Sequence, residues 1–274
     1  MGLPQGLQRE VTYDATSGGT VATPASFSPT MKQAVLITNP SYVTITVYNP
    51  LSQVPVEGQT KLDPVASGSG FIISPDGHVV TAGHVALKHN SEVKVRLNNG
   101  RVYEARVMDI DHNYDMAMLK LFGAESLQTV SPHDTPCLKR GATIFSLGRP
   151  GLGADTARLG RLSSMHFGQK VKYRGFGYPD AMVVRMNTRK GESGGPVFTE
   201  SGKLAGMIVS TLSDGAGNYI GLANAMTLDS MGQFVCNNRA IHSIVKPDWQ
   251  PGKTRPIKSD DRAKLHLFAK PATP

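Results

Sequence analysis

An all-β protein, a sandwich or barrel in two halves, is what this sequence predicts. Three observations lead there. Short segments rich in β-branched residues recur about every ten residues, each bounded by turn-forming residues. An apolar period of about 3.6 residues is nearly absent until residues 228–238, LDSMGQFVCNN. A strand-poor connector, GAESLQTVSPHDTPCLKRG at 123–141, divides the pattern into two parts of comparable size.

Each element follows from its residues. The first 31 residues, rich in Gly, Ser, Thr and Pro, read as a flexible segment. YVTITVY at 42–48 alternates with period two, and GFIIS at 70–74 leads through the turn PDG into HVVTA at 78–82. SEVKVRL at 91–97, the turn NNG and RVYEARVMDI at 101–110 make a hairpin, and MAMLKL at 116–121 follows as a strand. Beyond the connector come ATIFSLG (142–148), TARLGRLSS (156–164), AMVVRMN (181–187), PVFTE (196–200), KLAGMIVST (203–211) and YIGLANAM (219–226). A short helix over 228–238 closes the folded part, and the last 36 residues read as a basic, Pro-containing tail.

Composition narrows the function class. The 274 residues are 39% hydrophobic and 18% charged, with no apolar run long enough to cross a membrane. No basic start followed by an apolar run marks a secretory signal. The compartment stays open, with the cytoplasm favoured unless the chain is a mature form. Two cysteines, Cys137 and Cys236, read as isolated thiols, and no Cys/His spacing resembles a metal site. The net charge of +8 lies mostly in the tail from Arg239 onward, which alone carries +5. Phosphate attraction makes nucleic acid a secondary candidate partner of the tail, against a plain solvated extension.

The chemistry concentrates in RKGESGGPVF, residues 189–198. A serine hydroxyl attacks poorly at neutral pH unless an imidazole takes its proton and a carboxylate orients that imidazole. Backbone amides must meet the negative oxygen that develops, and glycines let the chain turn sharply enough to present them. Ser193 fits the nucleophile, with the amides of Gly191 and Ser193 as the oxyanion donors. Two further stretches supply partners: VVTAGHV (79–85) ends an apolar strand on His84, and DHNYDMAMLKL (111–121) opens one on Asp115.

SGSGFIISPDGHVVTAGHV, YDMAMLKL and GESGGPVF together resemble the trypsin-like serine proteases, most closely the HtrA/Deg type, over roughly residues 34–238. The resemblance implies two six-stranded antiparallel β-barrels, residues 34–130 and 131–238, between a segment 1–33 and a tail 239–274. It implies His84 as general base and acid, Asp115 as its orienting partner and Ser193 as acyl-forming nucleophile, with no metal or organic cofactor. An extended or unfolded polypeptide would lie antiparallel to Val209, Ser210, Thr211 and Leu212, and Asn187 and Thr188 would floor the primary specificity pocket. Neither floor residue is acidic, so small or medium apolar residues are expected before the cleaved bond. Homo-oligomers, trimers in particular, are common in this type.

Some residues depart from the relatives. Val85 stands where digestive proteases carry a cysteine, and 36 residues after 238 are too few for a PDZ module. Glu192 replaces a neutral residue, and its expected partner is Arg149, Arg189 or Lys190, with solvent as the other reading. MHFGQKVKYRGFGY at 165–178 interleaves basic and aromatic residues and reads as a solvated loop, a site for an acidic partner or nucleic acid, or a regulatory loop. Signal-less proteases with basic extensions also occur in viral polyproteins, so polyprotein processing by a virus-encoded enzyme is a further expectation. Two rivals stay open: a catalytically silent binding protein on the same fold, and nucleic-acid binding through the tail.

Overall fold

The computed structural model describes residues 9–13, 20–48, 64–89, 91–130 and 138–237. The basic tail, Cys137 and the Cys236 side chain lie outside the described residues, and with them the readings made on them. No helix among the described residues is long and apolar enough to cross a membrane.

Strands β1 (Arg9–Tyr13) and β2 (Thr20–Pro24) pair antiparallel, and helix α1 (Pro29–Thr38) follows. Composition predicted flexibility here, but a helix signature lies within it. Ser28 caps the Met31 amide at 3.2 Å, Pro29 occupies the first turn, and Met31, Ala34, Val35 and Thr38 fall on one buried face.

The first barrel contains β3 (Tyr42–Tyr48), β4 (Pro64–Ile72), β5 (His78–Ala82), β6 (Glu92–Leu97), β7 (Val102–Asp111) and β8 (Met116–Leu121), closed in the order β3-β4-β5-β8-β7-β6. A one-turn helix, α2 (Gly83–Ala86), leaves the end of β5. β4 starts at Pro64, earlier than the GFIIS segment, because its glycines serve packing rather than turning. A Cβ on Gly68 would stand 2.6 Å from both Val85 methyls and 2.9 Å from the Ser193 carbonyl oxygen. Only a bare backbone lets the two barrels approach there.

The second half holds β9 (Thr143–Gly148), β10 (Thr156–Ser164), β11 (Val171–Tyr173), β12 (Phe176–Tyr178), β13 (Met182–Arg185), β14 (Pro196–Thr199), β15 (Leu204–Ser213) and β16 (Tyr219–Thr227). β10-β13-β16-β15-β14-β9 form a sheet, and β9 pairs again with β10 to close six strands into the second barrel. β2 adds to β10 through one parallel bridge, Thr156 to Ala22. β11 and β12 stand apart as a hairpin. Helix α3 (Leu228–Asn237) packs Met231, Phe234 and Val235 into the core.

The barrel interiors are apolar: Val43, Ile45, Val79, Val95 and Leu119 are fully buried in the first, and Val184, Val197 and Ala225 in the second. A half-buried ion pair spans the seam, Arg96 Nη2 to Asp155 Oδ1 at 2.7 Å. The barrels are thereby held in register by both packing and charge.

Candidate active site

His84 lies on α2, just past the end of β5, so its ring leaves the first barrel at the seam. Asp115 precedes β8, antiparallel to β5 in the register Ala82 to Met116. That pairing brings the two residues side by side, and the contacts are dense. The Asp115 carboxylate takes the His84 amide at 2.8 Å through Oδ1 and meets ring Nδ1 at 2.8 Å through Oδ2. The Asp115 carbonyl takes the Gly83 amide at 2.9 Å. Asp115 is fully buried and has φ of 49°, a left-handed conformation that costs a non-glycine residue energy and is held by these bonds.

Sequence inspection missed a third member, Tyr173 of β11. Its hydroxyl donates to Asp115 Oδ2, and its oxygen lies 2.7 Å from His84 Nδ1. With the Tyr173 proton given to the carboxylate, Nδ1 is surrounded by acceptors and must carry the imidazole proton. Nε2 is left with a lone pair, the form a general base needs. Burial, then the nearby Asp115 charge, pushes the Tyr173 hydroxyl far above the usual phenol range, so it stays a donor. The signal available beforehand was the KVKYRGFGY stretch, whose Arg-Gly pair turns the hairpin.

The Ser193 turn docks against the strand pair that bears His84. Ser69 of β4 holds it at two points: its amide donates to the Ser193 carbonyl at 2.8 Å, and its hydroxyl to the Gly191 carbonyl at 2.8 Å. On the other side, the Gly194 amide donates to Ile208 at 2.7 Å and the Ile208 amide to Gly195 at 2.9 Å.

Peptide planarity then directs the amides. The Lys190 carbonyl accepts from Gly151, and the Glu192 carbonyl accepts from Gly195. In a trans peptide the N–H points opposite the C=O, so the Gly191 and Ser193 amides face away from those donors. Neither has a protein acceptor among the described residues. The Ser193 hydroxyl itself lies 3.5 Å from the Val209 carbonyl.

Glu192 does not reach solvent. It is 1% exposed, and Arg158 of β10 donates to Oε1 through Nε. The sequence pointed to Arg149, Arg189 or Lys190 instead. Of these, Arg189 donates its backbone amide to Oε2 and adds a smaller charge attraction, without an ion pair. Burial pushes the Glu192 carboxyl up from the usual range, and Arg158 opposes that rise. Gly148 makes the space, since a Cβ there would meet Glu192 Cγ at 2.7 Å.

The proposed substrate residues divide by position. β15 pairs with β16 along its length, but its pairing with β14 ends at Met207, so Val209 to Leu212 have one edge without a strand partner among the described residues. Val209 is buried, Ser210 and Leu212 are half-buried and Thr211 is exposed. Asn187 is exposed, whereas Thr188 is buried and donates its amide to the Tyr219 hydroxyl at 3.0 Å. The Thr188 hydroxyl has no partner among the described residues. No three His, Cys, Asp or Glu side chains converge among the described residues in a way that would hold a metal ion.

Comparisons with known proteins bear on the family and the fold. A family model described as a trypsin-like peptidase domain matches residues 68–207. A probable periplasmic serine endoprotease, DegP-like, from Rhizobium meliloti (strain 1021) is 31% identical over 212 residues, 77% of this chain and 40% of the relative. Serine protease HTRA4 from Homo sapiens is 31% identical over 176 residues, 64% of this chain and 36% of the relative. The chain thus spans about two fifths of the length of these curated relatives. Among solved structures, an HtrA-type protease with a tripeptide superposes with a TM-score of 0.63 at 20% identity, covering 78% of this chain and 65% of that one. The Rv3671c protease in its inactive form gives 0.59 at 25% identity, covering 78% and 97%.

Proposed function

Because this chain belongs to the trypsin-like peptidase family, and within it to the HtrA type, we propose that it is a serine endopeptidase that cleaves extended or unfolded polypeptide through an acyl-enzyme. The observation that carries the reading is the His84–Asp115 pair at 2.8 Å, on a strand end against which the Ser193 turn is bonded through Ser69. His84 Nε2 takes the Ser193 proton as Oγ attacks the carbonyl carbon. The Gly191 and Ser193 amides stabilise the oxyanion, and His84 then returns the proton to the leaving amine. Water repeats the sequence on the acyl-enzyme, with His84 again as base.

Peptide binding follows from the unpaired edge of β15. A substrate laid antiparallel there gains main-chain hydrogen bonds irrespective of sequence. One side chain would point toward Asn187 and Thr188.

A second reading has one observation in its favour. The Ser193 hydroxyl lies 3.5 Å from the Val209 carbonyl, an acceptor other than His84. Fluorophosphonate labelling separates the two. Covalent modification that Ser193→Ala abolishes supports the endopeptidase, and no labelling in the presence of peptide substrates supports the binder.

A further inference from the structure

Resting on the endopeptidase reading, we propose that the β11–β12 hairpin forms a subsite selecting acidic side chains in the substrate, at the second or fourth residue before the cleaved bond. The hairpin leans from the second barrel onto the first. The Gly177 amide donates to the His112 carbonyl at 2.9 Å, and the Phe176 ring stacks on His112 at 4.6 Å between centroids. Between hairpin and turn lies a pocket of about 460 Å³, whose lining includes Lys170, Lys172, Arg174, Tyr173 and His112.

Its charge is one-sided. Lys170, Lys172 and Arg174 are exposed, and none of them forms an ion pair among the described residues. No carboxylate lines the pocket. Acids of the adjoining segments are bonded elsewhere: Asp115 to His84 and Tyr173, Asp111 to the Asn113 and Tyr114 amides, and Asp180 to His166. Arg174 also sits at φ of 47°, beside Gly175 at 83°, where Gly or Asn would relieve strain. A long cation held in that conformation points to use of its charge.

Position ties the pocket to the substrate. Tyr173 lines it and also bonds the His84–Asp115 pair, while Tyr178 of the same hairpin bonds Ser210 of β15 at 2.7 Å. Successive side chains of an extended peptide alternate in direction. If the residue before the cleaved bond points to Thr188, the second and fourth point to the opposite face, where His84, Tyr173 and the three cations lie. In this proposal a peptide laid on the β15 edge turns its carboxylate toward that pocket. Nucleic acid would need a track of cations along a backbone rather than one hairpin tip.

The full chain is tested with quenched fluorescent peptides that differ only in carrying Glu, Gln, Ala or Lys at those two positions. Active serine is counted by fluorophosphonate, and Ser193→Ala protein is tested for binding the same peptides by fluorescence anisotropy. Glu peptides should exceed Ala peptides about fivefold in kcat/KM, and bind Ser193→Ala more tightly, with both preferences fading in salt. Lys172→Glu should reverse the preference, and Arg174→Gly, which keeps the turn, should weaken it. Equal kcat/KM for Glu and Lys peptides on protein that labels would overturn the subsite while leaving the endopeptidase intact. Protein that does not label ends the endopeptidase reading, and the anisotropy arm alone then decides the acidic site, equal binding of Glu and Lys peptides overturning it. An RNA oligonucleotide that Lys172→Glu releases, and that acidic peptides do not displace, would also overturn it.

Discussion

Glu192 and Arg158 form a buried ion pair within the turn that carries Ser193, with the carboxylate 1% exposed and the guanidinium side chain 11% exposed. The second carboxylate oxygen takes the Arg189 amide, so one side chain pins both the entry to the turn and the strand behind it. A buried charge of this kind is weak evidence for stability in itself, because desolvation offsets attraction. Its consequence appears when one partner is removed.

Arg158→Met should destabilise the fold by about 3–5 kcal/mol at neutral pH, since the carboxylate would remain buried without its cation. Burial already raises the Glu192 pKa, with Arg158 acting against it. A raised acid favours its protonated form in the folded state. Its contribution is therefore full below the unfolded value and is lost as pH rises through the folded one. Denaturant midpoints of wild type and variant should converge toward acid pH and separate toward neutral. A constant gap across that range would show that the carboxylate is not the cause.

Gly191→Ala should lower turnover about 10²-fold or more, the scale of losing one oxyanion donor. Gly191 has φ of 93°, and a Cβ there would press into the Arg149 carbonyl. The turn must rotate to relieve that contact, and the Gly191 amide rotates with it. Circular dichroism establishes that the variant is folded, and kcat measured on a short peptide reads the effect. Unchanged kcat in a folded variant would remove Gly191 from the oxyanion role.

Much of the fold was legible because it is written locally. Period-two segments such as YVTITVY and hairpin signals such as NNG need only neighbouring residues, and they mark real strands and turns. The stretches around His84, Asp115 and Ser193 are local in the same way, and the strand pairing sets His84 beside Asp115. Helix α1 was written locally too, in Ser28, Pro29 and the spacing of Met31, Ala34 and Val35, but a turn-rich composition masked it. Gly68 misled in the opposite sense, since a glycine chosen for close packing looks like a loop glycine until its neighbour Val85 is known.

What the sequence could not reveal is contact between distant residues that share no motif. Arg158 lies 34 residues from Glu192, and only the pairing of β9 with β10 beside the Ser193 turn brings it close. Arg189 and Lys190, adjacent in sequence, were the natural candidates, but the ion pair forms with Arg158 and Arg189 adds only its amide and a weaker charge effect. Tyr173 lies 58 residues from Asp115, and it arrives there only because a hairpin of one barrel leans on the other.

Tyr173→Phe removes one donor to Asp115 and leaves the ring packed edge-on against His84 at 5.4 Å. A hydrogen bond to a charged acceptor contributes about 1.5–3 kcal/mol, so kcat should fall on the order of tenfold. Because Tyr173 positions the pair rather than binding the reacting atoms, KM for a short peptide lacking acidic residues should change little. The low-field proton NMR signal of the His84 Nδ1–H should shift in the same variant, a response that a purely structural loss would not give. Equal kcat and an unmoved proton signal would leave Tyr173 as packing only.

Asp76 offers a control remote from catalysis. Partial burial would raise its carboxyl, but Lys120 at 2.7 Å, Ser74 and His78 together bring it from 3.8 to about 2. A depressed acid stabilises the fold above its unfolded value and loses that contribution as pH falls through the folded one. The window therefore runs from 3.8 down to about 2. The carboxylate is 38% exposed, so solvent screening keeps the contribution below about 1 kcal/mol. Asp76→Asn should be slightly less stable than wild type at neutral pH and nearly equal to it at about pH 2. Urea titrations at the two pH values measure this directly. A deficit that persisted at acid pH would trace the loss to the turn geometry of Ser74 and His78 rather than to the charge of Asp76.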